Sequence, residues 1–116
     1  MKIYIAGPMS GLPGCNRQAF NQAAAVLTVD GHVPLNPAFL PDGLTQADYM
    51  AIGMVMLQRA EAIYLLDGWQ VSAGARAEFS LAEKLGLKVI YQEKQHSVVW
   101  GENPAYVRVD PKWMIF

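Results

Sequence analysis

Ala62–Gly86, AIYLLDGWQVSAGARAEFSLAEKLG, decides how the rest of the chain is read. Ala62-Ile-Tyr-Leu-Leu66 is an apolar run of strand length, suited to a sheet covered on both faces. Asp67-Gly68 breaks it, and a loop carrying Trp69, Ser72 and Gly74 follows. Ser72 is the expected N-cap of a helix that stops at Gly86 and carries Glu78 in its first turns. Strand, loop and helix in this order form the unit from which open α/β sheets build ligand sites.

The same unit occurs twice before it. Lys2–Ala6 is an expected strand, with Ile3 and Ile5 on one face and Tyr4 on the other. The loop Gly7-Pro-Met-Ser-Gly-Leu-Pro-Gly14 follows, too rich in glycine and proline for regular structure. Asn16 is the expected cap of a helix running to about Asp30, striped by Phe20, Ala23, Ala24 and Leu27 and ended by Gly31. His32–Leu35 is a second strand, placed at a sheet edge by Pro34. Thr45 opens a second helix with Asp48 in its first turn, and Met50, Met54 and Met56 there read as adaptable core or interface filler. Leu87–Tyr91 is the fourth strand, and Val107-Arg-Val109 offers a fifth. Strands alternating with helices call for a parallel sheet with right-handed crossovers. In the order 2-1-3-4 the first and third strands are neighbours, so the loops Gly7–Gly14 and Asp67–Gly74 converge on one crevice beside two helix N-termini. A small-molecule site is expected there.

Composition narrows the partners. A chain of 116 residues is read as one domain, residues 1–116, in which residues 92–116 form an aromatic tail expected to pack on a neighbouring subunit. With 53% hydrophobic and 16% charged residues, some surface is expected to be covered by a second copy, a homodimer or higher homo-oligomer. A net charge of −1 with no basic stripe argues against a duplex nucleic-acid binder. No apolar run has the length of a membrane span, and the opening MKIYIAGP is too short for a secretory signal, so a cytoplasmic protein is expected. One cysteine and two histidines make a metal site or a serine triad a poor fit, and no cofactor is called for. Neither glycine loop has the spacing of a dinucleotide or P-loop fingerprint. A glutamate near a helix start is ordinarily solvated. Glu78 instead borders the apolar stripe Ala75, Phe79 and Ala82, where it is placed to face the crevice, with the helix dipole expected to keep it ionised.

At these residues the chain resembles a known group. Ile3-Tyr-Ile-Ala-Gly-Pro8 is similar to the opening of nucleoside 2-deoxyribosyltransferases. Asp67-Gly-Trp-x-x-Ser-x-Gly-Ala-x-x-Glu78 resembles the signature of a small phage and bacterial branch of that superfamily, related to the deoxynucleoside monophosphate N-glycosidases. The resemblance spans roughly residues 2 to 91 and implies a flavodoxin-like three-layer sandwich, with a parallel sheet of four to five strands in the order 2-1-3-4(-5). It implies cleavage or exchange of the N-glycosidic bond of a deoxynucleoside or its 5′-monophosphate through a covalent glycosyl-enzyme on Glu78, oriented by Tyr4. Gly7, Met9, Ser10, Gly11, Asp67, Gly68, Trp69, Ser72 and Gly74 would contact the substrate, and Asn103 would reach it from the tail of a neighbouring subunit. Serine at position 72, where the transferases carry aspartate, points towards the monophosphate. Two positions depart from the pattern. Counting back from Glu61 puts Gly53 where relatives carry a supporting aspartate, with Asp48 and Asp67 as the nearest replacements. Ser10 stands where the glycosidases use an arginine, leaving Arg17 to reach in if the loop folds back. The alternative expectation is therefore a nucleotide-binding module that keeps the crevice without the chemistry.

Overall fold

The structure is a computed structural model that describes residues 1–92. The expected fifth strand and Asn103 lie outside the described residues. Four parallel strands, β1 (Lys2–Ala6), β2 (Val33–Leu35), β3 (Ala62–Leu65) and β4 (Lys88–Tyr91), form one sheet in the order β2-β1-β3-β4. Three helices connect them: α1 (Arg17–Val29), α2 (Gln46–Gln58) and α3 (Ala73–Leu85). This is the flavodoxin-like arrangement. β1 is central, pairing with β2 through Tyr4 and Leu35 and with β3 through Tyr4 and Ile63. The order in which strands are added therefore reverses between β1 and β3.

Strand alternation sends side chains to two cores. Ile3, Ile5 and Ala62 pack with Phe20, Ala23 and Leu27 of α1 on one face. Tyr4, Ala6, Ile63 and Leu65 pack with Leu57 of α2 and Ala75 and Ala82 of α3 on the other. Met54 and Met56 lean on this second core as filler. Among the described residues no helix is long and apolar enough to cross a membrane.

The caps fix where the helices begin. At α2, Thr45 Oγ1 accepts from Asp48 N–H at 3.1 Å, while Asp48 Oδ2 accepts from Thr45 N–H at 2.9 Å. At α3, Ser72 Oγ accepts from Ala75 N–H at 3.1 Å, and Gly86 in the left-handed region ends the helix. Asn16 differs from expectation. It occupies the cap position of α1 with φ 58°, and its side chain caps nothing in the helix, donating instead to the Pro8 carbonyl at 2.9 Å. Gly14, Cys15 and Asn16 are all left-handed, a turn that folds the first loop back on itself. His32 also leaves the expected strand, because its N–H closes the end of α1 on Leu27 O and its ring meets the N-terminal amine at 3.0 Å.

Candidate active site

Glu78 is a buried polar residue at 8% exposure. Its Oε2 accepts a hydrogen bond from the Tyr4 hydroxyl at 2.7 Å. Tyr4 sits on the central strand at 1% exposure, so the donor is fixed by the sheet itself. Among the described residues Glu78 Oε1 receives no hydrogen bond, which leaves one carboxylate oxygen tied and one bare. The backbone of α2 closes the third side. A Cβ placed on Gly53 would stand 2.8 Å from Glu78 Oε2 and 2.8 Å from the Tyr4 hydroxyl oxygen.

Burial dominates the electrostatics. Removal from water pushes the Glu78 carboxyl up to about 7, and the Tyr4 hydrogen bond pulls it back only in part. Tyr4 is raised well above the ordinary phenol range, by its own burial and then by the neighbouring carboxylate. The expected help from the helix dipole is not the governing effect. Glu78 lies beyond the first turn of α3, where that field has faded, and no acidic residue occupies the first turn. The tyrosine hydroxyl favours the ionised form instead.

The pair lies at the wall of a cavity of about 70 Å³ at the carboxyl ends of β1 and β3, lined by Gly7, Met9 and Ser10 from the first loop and Ser72 and Gly74 from the second. The two loops converge as the strand order requires. Gly7 is held there by packing, since a Cβ on it would meet Leu66 Cβ at 2.8 Å. A side chamber of about 90 Å³ shares Met9, Ser10, Gln46 and Tyr49 and adds Cys15 and Arg17. A larger recess of about 460 Å³ shares Met9, Ser10, Gln46, Ser72 and Gly74.

Other expected contacts stand elsewhere. Gly11, with φ +80°, and Gly68 are turn residues outside the cavity wall. Trp69 packs its ring on Phe79, centroids 4.9 Å apart. Asp67 faces the groove between α1 and β4, and its N–H donates to Gln92 Oε1 at 2.8 Å. Asp48 is committed to the Thr45 cap. Neither acid lines the cavity in place of Gly53. Arg17 is turned back by the left-handed loop into the wall of the side chamber, where it pairs with Asp42 at 2.7 Å.

The model of a family described as a domain of unknown function, DUF4406, matches residues 1–91. The chain belongs to the DUF4406 family. No curated protein matches it. Among solved structures, this DUF4406 domain is similar to a 2-desoxiribosyltransferase from Leishmania mexicana, with a TM-score of 0.63 and 22% sequence identity. The match covers 78% of this chain and 62% of that one. The likeness is one of fold.

The sequence reading overlooked part of this DUF4406 site. Gln46, Tyr49 and Met50 line the cavity from the first turns of α2, with Phe20 and Leu40 beside them. Ser10 Oγ donates weakly to Gln46 Oε1 at 3.4 Å, and the Tyr49 hydroxyl donates to Pro41 O at 2.6 Å. One signal was available. A helix that follows a parallel strand begins at the sheet's carboxyl edge, so the Thr45 cap already placed the start of α2 at the crevice.

Proposed function

We propose that this protein cleaves or exchanges the N-glycosidic bond of a deoxynucleoside or its 5′-monophosphate, with Glu78 as nucleophile. The observation that carries this reading is the buried Tyr4–Glu78 pair, one carboxylate oxygen bound and the other bare beside the cavity. A fold shared with a deoxyribosyltransferase supports it. Glu78 Oε1 attacks the anomeric carbon, a C–O ester bond forms, and the C–N bond breaks. The base leaves with the bonding electron pair and takes up one proton from solvent. Water or a second base then attacks the same carbon from the vacated side, the C–O ester bond breaks to restore the carboxylate and the attacker's proton passes to solvent, so two inversions give net retention.

Tyr4 orients the nucleophile and favours its ionised form. Ser72 uses an oxygen lone pair to cap α3, which leaves its O–H free to donate to a 5′-phosphate beside the first amides of that helix. Gln46 brings an amide donor and acceptor to the point where the three recesses meet, suited to the edge of a base. The protein acts as a homo-oligomer in this reading, supported by exposed Phe39, Val55 and Val71 at 83%, 60% and 80%. Sedimentation equilibrium checks that part.

Base release from a panel of deoxynucleosides and their monophosphates, followed by chromatography, tests the activity. Glu78→Ala is expected to abolish it. Mass spectrometry of a quenched reaction is expected to find a deoxyribosyl ester on Glu78. A wild-type chain that releases no base and traps no adduct across the panel overturns the proposal.

A further inference from the structure

We propose that Gly53 is a positioning residue of this site. Its missing side chain lets the α2 backbone close on the Tyr4–Glu78 pair, holding Glu78 with Oε2 bound and Oε1 bare. Any side chain there, an acidic one included, displaces the pair. In its catalytic consequence this rests on Glu78 being the nucleophile; in its packing consequence it does not.

Glycine is the poorest ordinary helix former, and Gly53 is buried in the middle of α2. Alanine there would favour the helix, so a local constraint must demand glycine. The constraint is two atoms, Glu78 Oε2 and the Tyr4 hydroxyl oxygen, both 2.8 Å from where a Cβ would stand. That is closer than side-chain carbons approach any neighbour. Neither atom is an idle side-chain end, because each is the other's hydrogen-bond partner and both residues are buried. Gly74 offers a contrast in the same wall. Its Cβ would press on Met50 sulfur at 3.1 Å, a flexible end able to swing aside, and would meet Ser72 Oγ at an ordinary 3.9 Å.

The missing acid at position 53 is therefore a filled contact. An aspartate in that position of α2 would push its own Cβ into the tied oxygen and set a second carboxylate against Glu78. Like charges so close oppose ionisation of the nucleophile.

The test is a thermal double-mutant cycle on the full chain, joined to base-release kinetics. Gly53→Ala is expected to lower Tm on the order of 5 °C. In a Tyr4→Phe background, where one blocking atom is gone and the carboxylate is freed to swing, the loss is expected to fall by at least about half. A rise in Tm, or equal losses in both backgrounds, overturns the proposal. Should Gly53→Ala fail to fold, recovery of a folded Tyr4→Phe/Gly53→Ala chain supports it, and failure of both overturns it. In kinetics, Gly53→Ala is expected to lower kcat at least about tenfold with KM within about threefold. Gly53→Asp is expected to gain nothing, and faster base release from it than from wild type overturns the positioning role. If wild type releases no base, the functional reading falls and the thermal cycle still decides the packing.

Discussion

A carboxyl held near 7 beside neutral solution is a group whose charge depends on the conditions of the measurement. As the proposed nucleophile Glu78 must be ionised, so kcat/KM is expected to rise with pH through a limb near 7. Tyr4→Phe removes the hydrogen bond that lowers the carboxyl's affinity for protons, and is expected to move that limb upward and slow the reaction at neutral pH. Stability carries the same signature. Between about 4.5, the ordinary glutamate value, and about 7, the native state holds a proton that the unfolded chain has released. Stability therefore falls as pH rises through that window, by on the order of 3 kcal/mol in total. Urea midpoints across the window are expected to fall for wild type and to stay flatter for Glu78→Gln. An unchanged slope in the variant would assign the titration to another group. At this scale the local pattern singled out Glu78, while Tyr4 entered only through the resemblance. It misjudged what governs the charge, since burial depends on α2, which no pattern around residue 78 reveals.

At the scale of elements, the Ser72 cap shares its residue with the cavity wall whereas the Thr45 cap does not, and this separates stability from binding. Ser72→Gly keeps a tolerated cap residue and is expected to cost only a few tenths of a kcal/mol. It removes the hydroxyl, so KM for a deoxynucleoside monophosphate is expected to rise while KM for the free nucleoside holds. Equal changes for the two substrates would deny Ser72 a phosphate contact. Thr45→Ala breaks the capping box at the start of α2 and is expected to cost about 1 kcal/mol in denaturant titration. Strands and helices were readable to within a residue or two, because caps, glycine stops and apolar runs are local signals. Asn16 was not. The asparagine signal is the same for a helix cap and for a left-handed turn, and only the Pro8 carbonyl nearby selects the turn. Gln46 and Tyr49 were missed for the opposite reason: the start of α2 was readable, but which of its residues meet the cavity follows from how the helix crosses the sheet.

Across the molecule, the two cores do different work. The α1 face is structural, yet Phe20 belongs to that core and also lines the cavity. Phe20→Ala is expected to cost about 3–5 kcal/mol, a large part of what a domain of this size holds in reserve. Thermal denaturation measures it, and a loss under about 1 kcal/mol would mean that α1 is not anchored there. Sheet order was readable from the alternation of elements, whereas the fit of α2 against Glu78 was not, because a glycine's significance lies in the atoms it leaves room for. The Tyr4–Glu78 hydrogen bond has a further consequence in time. It joins residues 74 apart, the first from the opening strand and the second from the last helix described. During synthesis the tyrosine emerges early and waits, while every intervening strand and helix must be made before its partner arrives. The nascent chain thus carries no half-built Tyr4–Glu78 pair, and the buried carboxyl meets its partner only when the sheet closes around it.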